Sequence, residues 1–154
     1  MTEKQRPACR GEGAMHMLTT RTKIETRYPD CDRMGVVHHA VYPVWYELAR
    51  MDWLNEAGLN FLTMQPLGVN PAMVDLHIRY LAAATYPQTL YIETRPSLVA
   101  PKKLELQYTV TDEEGKPVSD AVTFHIWTGP DNRSYDLEKH QPELYRLLQA
   151  AAAE

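Results

Sequence analysis

The 154-residue chain is poor in cysteine, in positive charge and in long apolar runs, and each shortage excludes a class of function. Two cysteines, Cys9 and Cys31, cannot build a disulfide framework, so a reducing, cytoplasmic setting is expected. Lys plus Arg number 16 against 20 Asp plus Glu, a formal net charge of -4. Without a basic block, no nucleic-acid partner is expected. No stretch has the length and apolarity of a membrane span or of a signal-peptide core. Internal repeats and low-complexity tracts are missing as well. What is present is an ordinary globular composition, 44% hydrophobic and 23% charged. The length suits one domain of about 150 residues. Such a chain can bury roughly 70% of its unfolded surface, and needs no disulfide or metal staple.

Residues 1–17 are polar and mixed in charge, with Pro7, Gly11 and Gly13 against regular structure. They read as a flexible leader, and 18–154 as a single domain. Four later segments alternate with period two, as half-buried strands do. Val74, Leu76, Ile78 and Tyr80 alternate with Met73, Asp75, His77 and Arg79; Leu90, Ile92 and Thr94 alternate with Tyr91, Glu93 and Arg95. Leu104, Leu106, Tyr108 and Val110 form a third apolar set, and Val122, Phe124 and Ile126 a fourth, alternating with Thr123, His125 and Trp127. Asp112 to Lys116, with Gly115, predicts the hairpin turn between the last two. A fainter strand spans Thr20–Tyr28.

One segment has helical period instead. Val41, Val44, Trp45, Leu48 and Met51 predict an apolar stripe on a helix starting near Ala40, with Pro43 in its first turn. Gly58 is the stop, giving roughly 17 residues and about 25 Å. Gln141–Ala151 reads as a short second helix. Strand, long helix, four antiparallel strands and a helical tail predict an α+β hotdog fold, with the sheet curled around the helix.

The chemistry is concentrated between the first strand and the helix, from Tyr28 to Tyr42 and on to Arg50. Polar groups here face a helix N-terminus, whose unpaired N–H groups attract a polarised carbonyl oxygen. Asp32 just before it supplies a carboxylate, and the pair is the layout that acyl transfer requires. Asp32 could equally be a turn or capping residue. His38 and His39 lack a suitably spaced third ligand, and neighbours on a strand point apart, so no metal is expected. Cys31, between two acids, is a poor thiolate and is not read as a nucleophile.

Tyr28, Asp32, Gly35, Val37, His39 and Tyr42, followed by Tyr46, Glu47, Ala49 and Arg50, resemble the signature of the 4-hydroxybenzoyl-CoA thioesterase-type hotdog hydrolases. The resemblance implies an acyl-CoA thioesterase without a metal or a bound cofactor. It assigns the essential carboxylate to Asp32, as nucleophile or general base, with Tyr28 and His39 as its partners. The carbonyl-polarising amide becomes the His39 N–H. Tyr42 is a candidate for the acyl pocket. Glu47 is a rival carboxylate, since other hotdog thioesterases use one on the helix; its plain reading is a surface pair with Arg50. Lys102 and Lys103 stand where relatives carry a longer basic run, and are candidate contacts to the CoA phosphates or simply solvated charges. His38 replaces an aromatic residue common in the family. A homodimer or homotetramer is expected, because the sheet leaves open edges. The rival readings are a non-catalytic acyl-CoA-binding or assembly protein and a hotdog hydratase.

Overall fold

Proline near its start and glycine just past its end bracket the long helix. α1 spans Tyr42–Ala57, with Pro43 in its first turn, where a missing N–H costs nothing. Gly58 ends it in the left-handed region at φ 93°, its N–H closing onto the Asn55 and Leu54 carbonyls. A 3-10 turn, His39–Val41, precedes α1, so the helix proper begins two residues after Ala40. These coordinates are a computed structural model that describes residues 16–153. The leader expected over 1–17 lies outside the described residues except for His16 and Met17, and Cys9 lies outside them too.

Five antiparallel strands curl around α1: β1 Thr20–Glu25, β2 Asn70–Tyr80, β3 Thr89–Val99, β4 Lys103–Asp112 and β5 Pro117–Thr128. Their order across the sheet is β1-β3-β4-β5-β2. β1 ends at Glu25 rather than Tyr28, because Tyr28–Asp30 turns as a 3-10 segment. Between β4 and β5 the expected turn closes with Asp112 N–H on the Lys116 carbonyl at 3.0 Å. The short helices α2 (Phe61–Met64) and α3 (Leu137–His140) lead respectively toward β2 and into α4 (Pro142–Ala152).

Three expected faces are corrected. The buried side of α1 carries Tyr42, Trp45, Tyr46, Ala49, Arg50, Trp53, Leu54 and Ala57, while Val44 and Leu48 are 56% and 51% exposed. The stripe is rotated because the aromatic residues, with the largest areas to bury, take the sheet side. On β5 it is Thr123, His125 and Trp127 that face the helix; Val122, Phe124 and Ile126 lie half-buried on the outer side. On β2 a bulge between Met73 and Asp75 leaves Val74 out of the ladder. Met73 then shares the inner face with Leu76, Ile78 and Tyr80, through their partners His125, Thr123, Ala121 and Ser119.

The core joins α1 to this sheet. Leu54, Leu90, Ile92 and Leu106 are fully buried, each stabilising by ~1.5–3 kcal/mol relative to exposure. Several of its polar members are bonded to one another. Ser119 gives its proton to the Arg79 carbonyl at 2.7 Å, so Tyr46 is the donor in its 2.6 Å bond to the Ser119 oxygen. Tyr108 meets Thr123 at 2.9 Å, and His125 Nε2 meets the same hydroxyl at 2.8 Å. The Tyr46–Ser119 bond fixes the rotation of α1 against β5, and the Tyr108–Thr123 bond knits β4 to β5.

Candidate active site

Two aspartates in the loop after β1 have different partners. Asp30 accepts from Arg27 Nε at 2.8 Å and Nη2 at 2.9 Å. That hydrogen bond, and then the charge, raises the Arg27 pKa. Asp32 instead heads a tight turn. Its Oδ1 accepts the Met34 N–H at 2.8 Å, its carbonyl the Gly35 N–H at 3.1 Å, and its own N–H goes to Val36. Gly35, at φ 75°, permits the reversal. Among the described residues Asp32 Oδ2 has no hydrogen-bond donor, and the side chain is half-buried.

The start of α1 closes over this carboxylate. Val37 N–H bonds the Ala84 carbonyl at 2.8 Å, and His38 N–H the Asp30 carbonyl at 2.9 Å. His38 caps the 3-10 turn, its Nδ1 accepting from Ala40 N–H at 3.0 Å. The His39 N–H is left without an acceptor among the described residues. Here the free amide groups and the partial positive charge of the helix start coincide. Asp32, Val36, Val37, His39, Tyr42, Tyr80 and the run Leu81–Ala84 line an open cavity of about 390 Å³. One wall is thus carboxylate and amide, the other aromatic and small aliphatic side chains.

Tyr42 is 2% exposed, and its ring lies edge-on to Tyr80 at 5.0 Å and against Trp45 at 4.7 Å. Burial raises the Tyr42 phenol above its ordinary pKa, opposed in part by a hydrogen bond from the Ala84 backbone. Tyr80 is raised by burial as well. Both phenols stay protonated at neutral pH and can donate. The Tyr80 hydroxyl does so, to the His39 carbonyl at 2.9 Å.

Of the residues singled out in the sequence, Asp32, His39 and Tyr42 share this cavity. Tyr28 does not line it; its ring is 76% exposed and packs edge-on against Tyr86 at 5.9 Å. Glu47 lies outside it, on an exposed turn of α1, 3.6 Å from Arg50 Nη2. The pair is not the plain surface contact that its spacing predicts: Arg50 is 8% exposed and reaches inward toward Tyr108. The two histidines do not point apart: they belong to a turn rather than a strand, and their rings stack at 4.2 Å.

Lys103 begins β4 at the other end of the sheet, with Lys102 just before it. Lys103 pairs with Ile126, which pairs with Ala72, whereas Tyr80 pairs with Ser119. At a rise of ~3.3 Å per residue those two points on β2 are roughly 26 Å apart. Tyr80 and the Ala82–Ala84 wall were not recognised as site residues from sequence. The available signal was Pro43, which cannot offer the His39 carbonyl an N–H four residues on.

This fold and site place the chain in a class that comparison makes definite. It belongs to the Thioesterase-like superfamily, which it matches over residues 26–148. It is 35% identical over 78 residues to "Putative acyl-CoA thioesterase YneP" of Bacillus subtilis, a match covering 51% of this chain and 56% of that one. The chain spans about half the length of the curated relatives it matches. The DHNA-CoA thioesterase of Staphylococcus aureus superposes with a TM-score of 0.80 at 28% identity, over 87% of this chain and 93% of that one. The hypothetical protein TT1821 of Thermus thermophilus does so at 0.79 and 31%, over 85% and 98%. The hotdog architecture is shared with both.

Proposed function

We propose that the protein is an acyl-CoA thioesterase, splitting the thioester bond of an acyl- or aroyl-CoA to the free acid and CoA. The observation that carries this reading is the cavity that Asp32 shares with the unpaired His39 N–H at the start of α1. Family membership and a 28%-identical thioesterase neighbour support it. As general base, Asp32 takes a proton from water while the water oxygen bonds the thioester carbon. The carbonyl oxygen gains negative charge beside the His39 N–H, where a fixed donor is most effective. Collapse then breaks the carbon–sulfur bond and releases the CoA thiolate, which is protonated from solvent or from Asp32. As nucleophile, Asp32 would attack the same carbon itself, the carbon–sulfur bond would break to release the CoA thiolate, and water would then hydrolyse the mixed anhydride to the free acid, restoring the Asp32 carboxylate. Tyr42 forms part of the acyl wall. Tyr28, exposed outside the cavity, fits contact with the CoA arm better than contact with the thioester.

The working unit in this reading is a homodimer, or a tetramer built from it. β2 is an open edge, and its helix-facing side chains Met73 and Tyr80 are 40% and 49% exposed, with Leu76 and Ile78 between them half-buried. Antiparallel pairing of β2 with a second copy would cover them. It would also bring the partner's β4 start toward the Tyr80 end, so that Lys102 and Lys103 could reach CoA phosphates across the boundary. Thiol release over a panel of aliphatic and aromatic acyl-CoAs tests the activity. Binding without release would favour the non-catalytic reading.

A further inference from the structure

We propose that Tyr80 is a positioning residue for this site, holding the turn from which the His39 N–H addresses the thioester carbonyl; the proposal rests on the acyl-CoA thioesterase reading above. In a continuous α-helix the His39 carbonyl would accept the N–H of residue 43. Residue 43 is proline and has none. The 3-10 turn gives that carbonyl the Tyr42 N–H, and the Tyr80 hydroxyl, from the last position of β2 and 41 residues away in sequence, adds a second hydrogen bond at 2.9 Å. The remaining bonds of the turn beyond His38 are local: Val41 N–H to the His38 carbonyl at 3.0 Å and Ala40 N–H to His38 Nδ1 at 3.0 Å. Among the described residues, Tyr80 is therefore the hydrogen-bonded tie between His39–Val41 and the sheet.

The geometry suits a clamp. The Tyr80 ring is set by its edge-on contact with buried Tyr42, so the hydroxyl is held where the carbonyl needs it. His39 then has its following peptide anchored from the sheet and its preceding peptide anchored through the His38 carbonyl. Its own N–H is the group left free. A donor fixed before the reaction costs no reorganisation when charge develops, which is where such donors gain their effect.

The test is Tyr80→Phe, which keeps the ring and deletes the hydroxyl, assayed with the best acyl-CoA and alongside thermal melting. Misaiming a donor should cost less than the ~10²–10³ of deleting one, so kcat is expected to fall about 10-fold with KM within about 2-fold. Adding Pro43→Ala to Tyr80→Phe offers a backbone N–H four residues after His39 but no tie to the sheet, so most of the loss is expected to remain. Pro43→Ala alone is the control for the helix start. Parent-like kcat in Tyr80→Phe overturns the proposal, and so does full recovery of the loss by Pro43→Ala, which would make the bond local to the helix. Asp32→Asn separates the two levels. If Asp32→Asn also keeps full activity, the reading of the site fails; if it is inactive while Tyr80→Phe is parent-like, only the role of Tyr80 falls.

Discussion

Arg27 holds both carboxylate oxygens of Asp30, at 2.8 and 2.9 Å, so the first of the two loop acids is fully paired. Asp32, two residues on, keeps an oxygen free and faces the cavity at the helix start. Within a single turn, then, one carboxylate is fully paired and its neighbour is not, which is why the proposed function is assigned to Asp32.

Asp32→Asn preserves size and can still accept the Met34 N–H, so the fold should survive. It loses the proton acceptor, and kcat should fall by about 10²–10⁴. Asp30→Asn should retain kcat within a few-fold. Thiol release by the two variants, with melting curves, checks this. If Glu47→Gln abolishes activity while Asp32→Asn does not, the helix carboxylate is the catalytic one.

Edge pairing through β2 makes a second expectation. The protein should run as a dimer or larger species in light scattering at micromolar concentration. Ile78→Lys, placing a charge on the helix-facing side of β2, should dissociate it and lower activity in parallel. A fully active parent monomer would refute the assembly.

Lys102→Ala with Lys103→Ala should raise KM several-fold and flatten its salt dependence, with kcat unchanged. Because the pair lies roughly 26 Å along the sheet from Tyr80, its contribution should come from the partner copy. Mixed dimers of the double-Ala chain with an Asp32→Asn chain would then regain sites of parent KM. If the lysines acted within their own chain, no such site would form.

His125 sets a pH window for stability. Burial, and then the charge of Arg50, push its pKa from 6.5 down to about 4. Between these values the unfolded chain binds the proton and the folded chain does not. Stability from this residue is complete above about pH 6.5 and is lost as pH falls toward 4, by ~3 kcal/mol at most. Urea denaturation at pH 7 and at pH 4.5 should show the loss, and His125→Gln should reduce it. Equal losses in parent and variant would show that His125 does not carry the effect.

The alternating runs, the Pro43 and Gly58 punctuation and the Tyr28–Arg50 motif made the five strands, the long helix and the place of the carboxylate legible in sequence. These are local matters: period two, a ring that cannot donate, a residue that tolerates positive φ. Three things were not local. Which side of β5 is inside depended on the β4 register, which puts Thr123 opposite Leu106, within reach of the Tyr108 hydroxyl, and buries His125 in place of Phe124. The rotation of α1 depended on Tyr46 reaching Ser119, which turned Val44 and Leu48 outward and drew Arg50 in. Tyr80 reached His39 only because β2 runs along the edge beside the helix start. Periodicity records how a chain faces its own axis. Which neighbour meets that face, and which polar atoms find partners there, is decided when strands distant in sequence choose their register.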